Sequence, residues 1–273
     1  MSEHKISIIV ATYNEEANIG RLLKSCLDQT YPNLEIVVVD SQRSTDKTYQ
    51  IAKEFTPKVY KYGNERSAQR NYGVSKAGGK YICVLDADMQ PDPEVVKDCV
   101  RAISVQSVKS VIIPEKSFGE NYWAKCKALE RNCYIGDPAI EAPRFFSKSD
   151  FIEAGGYDVS MVSGEDWDLG RRLKLLGTIS RIAPFIHHNE GNITLLKTIQ
   201  KKLYYSQNAT PYLEKNVSGM KDVILFVFRP AYFRNWKVLL SDPIHFFGFI
   251  IMKSMELMVG SLAIIKNQMV RYL

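Results

Sequence analysis

Tyr81-Ile82-Cys83-Val84-Leu85-Asp86-Ala87-Asp88 is a run of five apolar residues that ends on two carboxylates one residue apart. A short apolar run of this kind reads as a strand buried on both faces, the sort found in parallel sheets covered by helices. The pattern recurs upstream at 6–11, 34–39 and 58–62, and downstream at 108–114 and 179–183. The intervening stretches carry helical spacing. In 15–29, Ile19, Leu22, Leu23, Cys26 and Leu27 share one face. Residues 44–55 suit a helix with Ser44 or Thr45 as N-cap, 67–76 a third helix, and 93–105 a fourth with Pro93 near its first turn. Further on, 122–167 reads as helix, strand and a Gly155-Gly156 turn, and 165–176 as a helix with Leu169, Leu173 and Leu176 together. Strands alternating with helices at this spacing predict parallel β-α-β units and an α/β fold.

In such sheets ligands bind outside the carboxyl ends of the strands. The chain's chemistry-bearing residues fall there: Thr12-Tyr13-Asn14-Glu15 after the first strand, Asp40 after the second, Asp86 and Asp88 after the fourth. Two carboxylates one residue apart are either a solvated turn or a pair that reaches one divalent cation; the buried strand before Asp86 favours the cation. Hard Mg²⁺ or Mn²⁺ takes one or two carboxylates and completes its shell with phosphate oxygens and water. Gly164-Glu165-Asp166-Trp167-Asp168-Leu169 places acids at a helix start. They serve either as a capping cluster, worth ~0.3–1 kcal/mol against the helix dipole, or as a general base at the mouth of a cleft. His188, in His187-His188, is either a hydrogen-bonded core residue or a partner for Mn²⁺, a role for which Gln90 competes. Arg70 is either a surface helix residue or one that faces a nucleotide.

The chain has 273 residues, 45% hydrophobic and 24% charged, which allows one large domain or one domain with an appendage and excludes a disordered chain. A net charge of +6 suits acidic partners. Five cysteines with no CxxC pair predict reduced thiols, and Cys26 and Cys83 read as small core residues. The N-terminus runs directly into a strand, so no signal peptide is expected and a cytoplasmic location is. No GxGxxG follows the first strand, which argues against a dinucleotide-binding dehydrogenase.

At these residues the chain resembles family 2 glycosyltransferases of the GT-A fold, from about Lys5 to Gly191. Ser7 to Glu15 looks like the family's opening strand and loop, Asp40 to Asp46 like its second-strand motif, Asp86-Ala87-Asp88 like its metal motif, and Glu165-Asp166 like its ED motif. His188-Asn189-Glu190-Gly191 resembles a metal-ligand region of some members. The resemblance implies that Ala11, Tyr13 and Glu15 line the nucleobase and ribose pocket and that Asp40 meets the base with Arg70 nearby. It also implies that Asp86 touches ribose or metal, that Asp88 binds the metal, and that Asp166 is the catalytic base with Trp167 near the acceptor. The family inverts anomeric configuration. Gln42-Arg43 departs from the usual acidic-Gly pattern, which leaves the choice between UDP and GDP open. The run 86–90 is also similar to the family's polyprenyl-phosphate glycosyltransferases, whose acceptor is a phosphate, whereas an intact Glu165-Asp166 argues for a hydroxyl acceptor.

From about Lys197 the strands stop, and a division into 1–196 and 197–273 is expected. Between Lys197 and Lys237 eight Lys or Arg face only Glu214 and Asp222, among many aromatics. Residues 223–240 and 244–265 read as two amphipathic helices, interrupted by Pro230 and by Lys253 and Glu256. The two settings that fit are a membrane interface with basic groups toward lipid phosphates and a helical pair packed on the catalytic domain or in a dimer. The sequence therefore predicts a nucleotide-sugar donor, a lipid-linked acceptor and a membrane surface as partners, at the cytoplasmic face. Two rivals predict other things: a non-catalytic membrane adaptor would lack the carboxylates, and a nucleic-acid binder would rest on the basic, aromatic stretch alone.

Overall fold

The computed structural model describes residues 4–207 and 229–271. The middle of the basic, aromatic stretch, 208–228, lies outside the described residues, as do the side chains beyond Gly260. The chain forms two compact units. One comprises 1–115, 141–159 and 165–188; the other comprises 116–140, 160–164 and 189–273, so it takes in the helical tail and two earlier excursions.

In the first unit the chain runs β1 (Ile6–Thr12), α1 (Ile19–Leu27), β2 (Leu34–Asp40), α2 (Thr48–Phe55), β3 (Val59–Lys61), α3 (Arg66–Lys76), β4 (Tyr81–Asp86), β5 (Met89–Pro91), α4 (Val95–Ile103) and β6 (Val108–Ile112). It returns with β8 (Phe145–Ser147), α6 (Lys148–Glu153), α7 (Glu165–Leu176), β9 (Thr178–Arg181) and β10 (Ile186–Asn189). β7 (Glu115–Phe118) and α5 (Tyr122–Asn132) lie between β6 and β8. The seven-stranded sheet has the order β3-β2-β1-β4-β8-β6-β9. β1 pairs in parallel with β2 and β4, and β8 runs antiparallel to both β4 and β6.

Strict alternation along the strands sends side chains to two cores. Ile8, Val10, Val38, Cys83 and Leu85 pack with Ile19, Leu22, Leu23, Val95 and Cys99 on one face. Ile9, Val37, Val39, Ile82 and Val84 pack with Val74, Phe151, Leu169 and Leu173 on the other. Each fully buried aliphatic side chain contributes about 1.5–3 kcal/mol. α3 comes close enough for this only because residue 73 is glycine: a Cβ there would lie 2.5 Å from Ile9 Cγ2. All five cysteines are free and buried, Cys26 and Cys83 in the first core as expected.

Several elements differ from the sequence expectation. α1 starts at Ile19, because residues 15–18 form a turn in which the Asn18 and Ile19 N–H groups both bond to the Glu15 carbonyl. Asn14 takes φ +54°, a left-handed conformation that Asn tolerates. α2 starts at Thr48, and neither Ser44 nor Thr45 caps it: Asp46 Oδ1 accepts from the Thr48 N–H (3.0 Å), while the Ser44 hydroxyl donates to Asp40. β5 and β10 were not foreseen. They pair antiparallel, with His187 opposite Gln90 and His188 opposite Met89, and each is too short to show an alternation in sequence.

In the second unit the long helix Pro243–Arg271 packs on α5 and on α8 (Leu195–Gln207), after two short helices, Pro230–Arg234 and Trp236–Leu240. Phe249 and Met252 join Cys126, Leu129, Cys133 and Leu239 in its core. The two charges that interrupt the apolar run face inward. Lys253 Nζ lies 2.6 Å from Glu130 Oε1 and 3.2 Å from Glu256, and Lys127 bridges Glu130 (2.8 Å) and Glu256 (3.0 Å). Burial alone would raise the Glu130 carboxyl; Lys127 and Lys253 hold it well below the usual range. Lys253 therefore does not point toward lipid phosphates, which corrects that part of the amphipathic reading. The outward face is apolar: Phe233, Trp236, Leu240, Ile244, Phe247, Ile251 and Met258 are all exposed.

Candidate active site

At the carboxyl ends of β1 and β2 the two loops are stitched together. Asn14 Oδ1 accepts from the Thr45 N–H (2.9 Å), Asp46 Oδ2 from the Glu16 N–H (2.9 Å), and Thr48 Oγ1 from the Glu15 N–H (2.7 Å). Asp40 is fully buried between them, accepting the Thr12 and Ser44 hydroxyls on Oδ1 (2.8 and 2.6 Å), with the Lys61 ammonium ion-paired 2.7 Å from Oδ2. Ala11 is buried at the strand end, and Glu15 is half-buried with Oε2 on the Asn18 amide. The Tyr13 ring is 52% exposed, with the Arg43 guanidinium 5.6 Å from its centroid. These loops thus form a polar, braced rim with one open aromatic face.

Arg70 is neither a surface residue nor open to a ligand: it is fully buried. Nη2 donates to Asp86 Oδ1 (2.6 Å) and Nη1 to Asp166 Oδ1 (2.8 Å) and Glu165 Oε1 (3.2 Å), and the guanidinium lies 5.1 Å over the Tyr157 ring. One buried cation therefore ties the end of β4 to the start of α7. Glu165 also meets Arg66 (3.0 Å) and is buried; its carboxyl is pushed up, by burial first and then by Asp166. Asp166 keeps 29% of its side chain exposed, and its Oδ2 has no partner among the described residues. Of the acidic pair, then, Asp166 is the one open to solvent. Trp167 beside it is half-buried. Burial alone would raise the Asp86 carboxyl, yet Arg70 and Arg144 hold it well below the ordinary range.

His188 joins the site. Its Nε2 lies 3.1 Å from Asp88 Oδ2 and its Nδ1 3.3 Å from Glu115 Oε2. Gln90 does not: opposite His187 in the pairing, it lies on the other face of its strand from Met89 and His188. Asp88 Oδ1 is buried with no hydrogen-bond partner among the described residues, as expected for an oxygen that serves a cation. Among the described residues no three His, Cys, Asp or Glu side chains form a ready-made cage. Sparse protein ligation is what Mg²⁺ and Mn²⁺ accept when phosphates complete the shell, so Asp88 and His188 fit such an ion. Sequence reasoning missed Arg144, Glu115, Arg66 and Tyr157, which belong to no short motif and enter the site through long-range pairing.

A doubly covered, mostly parallel sheet with its acids gathered at the strand ends is the architecture of a GT-A glycosyltransferase. The family model described as Glycosyl transferase family 2 matches residues 7–154, and the chain belongs to that family. A segment is 35% identical over 106 residues to the dolichol-phosphate mannosyltransferase of Pyrococcus furiosus, covering 36% of this chain and 30% of that one. The alignments to the first curated relatives span only 18–36% of those proteins' lengths. Among solved structures, Staphylococcus aureus TarS 1-349 in complex with UDP superposes with TM-score 0.57 at 17% identity, over 97% of this chain and 91% of that one. The mannosyltransferase PcManGT of Pyrobaculum calidifontis, in complex with GDP-Man and Mn²⁺, gives 0.57 at 17% over 96% and 76%. At that identity the likeness is one of fold. Two of the relatives carry names with a lipid-linked or polymeric acceptor, the dolichol-phosphate mannosyltransferase and the poly(ribitol-phosphate) beta-N-acetylglucosaminyltransferase TarS of Staphylococcus aureus.

Proposed function

We propose that this enzyme is an inverting, metal-dependent hexosyltransferase that moves a sugar from UDP or GDP to a hydroxyl of a lipid-linked acceptor at the cytoplasmic face of a membrane. The observation that carries this is the single buried guanidinium of Arg70 holding both Asp86 and Asp166. It ties Asp86 to the solvent-open Asp166, which supports a donor-side acid and a base acting from one constellation.

In this reading Asp166 takes the proton from the acceptor hydroxyl as it attacks the sugar carbon. Arg70 on Oδ1 fixes the carboxylate and leaves Oδ2 for that proton. One base suffices for a single displacement, which inverts the sugar. Retention would require a second carboxylate as nucleophile, and Glu165 is buried against Arg66 and Arg70. Trp167 borders the acceptor. Ala11, Tyr13 and Glu15 line the nucleoside pocket, with the Tyr13 ring available to stack on a base, and buried Asp40 braces the two loops around it. Asp88 and His188 would hold a divalent cation, which when bound would neutralise charge on the departing diphosphate. The Mn²⁺ and GDP-Man of the PcManGT complex and the UDP of the TarS complex support donors of this class.

The membrane part of the proposal rests on the outward apolar face of the second unit. Pro243–Gly260 is long and apolar enough to cross a bilayer by length and composition. Its inward Lys253 and Glu256 are locked to Lys127 and Glu130, which favours a helix lying along the surface. Trp236 stands between Arg234 and Lys237, a basic and aromatic composition suited to an anionic lipid interface.

A phosphate acceptor is the second reading, favoured by the likeness to the dolichol-phosphate mannosyltransferase. A thermal-shift series with UDP-sugars and GDP-sugars, each with Mn²⁺ and with EDTA, tests the donor and the metal together. One nucleotide sugar should raise the midpoint, and EDTA should abolish the rise. No rise with any donor would remove the proposal.

A further inference from the structure

Arg144 and Glu115 belong to none of the motifs read from the sequence, yet they stand between the two ends of the site. Arg144 is held by its backbone: its N–H donates to the Val111 carbonyl (3.1 Å), and its own carbonyl accepts from the Val84 N–H (2.8 Å). The side chain is 12% exposed. Nε donates to Glu115 Oε1 (2.7 Å), and Nη2 lies 3.3 Å from Asp86 Oδ2. The second Glu115 oxygen faces His188 Nδ1, and His188 Nε2 faces the Asp88 carboxylate, whose other oxygen is buried without a hydrogen-bond partner among the described residues. The contacts run unbroken from Asp88 through His188, Glu115, Arg144 and Asp86 to Arg70 and Asp166.

We propose that Glu115 and Arg144 are positioning residues for the cation of the transferase site. Glu115 accepts the Nδ1 proton of His188, which fixes the tautomer and turns the lone pair of Nε2 toward Asp88. Arg144 orients Glu115 and engages Asp86 Oδ2. With Arg70 on Oδ1, that gives both Asp86 oxygens arginine partners, so Asp88 and His188 become the main protein ligands and Asp86 an electrostatic tie to Arg70. A carboxylate behind a ligating histidine sets ring orientation and basicity, and its loss typically lowers metal affinity about 10–100-fold. This inference rests on the metal-dependent reading above and adds residues to it.

The test is Mn²⁺ binding followed by electron paramagnetic resonance, alone and with saturating UDP or GDP, on wild type, Glu115→Gln, Glu115→Ala and Arg144→Lys. Pulsed spectra read the imidazole nitrogen coupling of His188. Glu115→Ala should weaken Mn²⁺ binding about 10–100-fold and reduce the nitrogen coupling. Glu115→Gln, which keeps an acceptor for Nδ1, should lie between that variant and wild type. Arg144→Lys should weaken binding less than Glu115→Ala. If Glu115→Ala does not fold, Glu115→Gln is decisive by itself. Wild-type affinity and wild-type nitrogen coupling in a folded Glu115 variant would overturn the inference and leave the metal site standing. A wild-type protein that takes up no Mn²⁺ with either nucleotide would remove the metal-dependent reading and this inference with it.

Discussion

Arg70 donates to Asp166 at 2.8 Å from a guanidinium with no solvent exposure, across 96 residues of chain. The same guanidinium holds Asp86 and Glu165, so its removal leaves three carboxylates short of their counter-charge. Breaking a buried charge arrangement by deleting one partner costs about 3–5 kcal/mol. Arg70→Met should lower unfolding free energy by that amount in urea titration. Arg70→Lys should recover part of it, since a point charge cannot reproduce the fork. A loss under about 1 kcal/mol for Arg70→Met would show that the three acids do not depend on it.

Asp166→Asn keeps the shape of the side chain and removes the base. Transfer to a hydroxyl acceptor should fall about 10²–10⁴-fold in kcat, with nucleotide-sugar binding retained in calorimetry. Full turnover on a hydroxyl acceptor would exclude Asp166 as the base. Full turnover on a polyprenyl phosphate would select the second reading, because a phosphate acceptor is already an anion.

Asp88→Ala removes the carboxylate whose buried Oδ1 lacks a hydrogen-bond partner among the described residues. Mn²⁺ should then no longer strengthen nucleotide binding, and activity should be lost with it. Asp86→Asn should instead cost chiefly stability, through weaker bonds to Arg70 and Arg144. Equal losses of Mn²⁺ affinity in both variants would contradict this separation.

Acid stability offers a check away from the site. Glu35 accepts from the Gly78 N–H, the Ser7 hydroxyl and Lys58 (2.5, 2.5 and 2.8 Å). Burial opposes its charge, but these bonds lower its carboxyl to about 2. A depressed folded value stabilises the native state above the ordinary carboxylate range, and that contribution is lost as pH falls toward 2. Glu35→Gln should lower the thermal midpoint at pH 7 and flatten its fall between about pH 4.5 and 2. An unchanged acid limb would assign that fall to other carboxylates.

The apolar outer face of the second unit predicts a separable effect. Ile244 and Phe247 are 71% and 67% exposed, so Ile244→Asp with Phe247→Asp should leave the unfolding free energy within about 1 kcal/mol of wild type, about 0.5 kcal/mol for each surface substitution. Co-sedimentation with phosphatidylglycerol vesicles should fall strongly in the same variant. Equal sedimentation of both proteins would remove this face as the contact.

Much of the fold was legible because its signals are local. Ile6 to Val10 and Ile82 to Leu85 show buried strands in their own composition, and Ile19, Leu22, Leu23 and Cys26 show a helix face. The strands at Met89–Pro91 and Ile186–Asn189 escaped, since three or four residues are too few to establish an alternation. In the site, the acids at strand and helix ends were legible as motifs. Arg144 and Glu115 were not, because no short spacing marks a charge whose partner lies 29 or 58 residues away. Lys253 and Glu256 were visible as charges in an apolar helix, but their direction was not, because Glu130 sits on another helix.

By itself the amino-acid order determined which segments become strands and helices, and hence that Asp40, Asp86, Asp88 and Asp166 fall at element ends. Only the tertiary structure decided which of these acids is buried under arginine, which remains open, and which histidine nitrogen meets Asp88. Backbone preference is written over a few neighbouring residues, whereas the electrostatic surroundings of a carboxylate depend on cations that the fold brings in from distant parts of the chain.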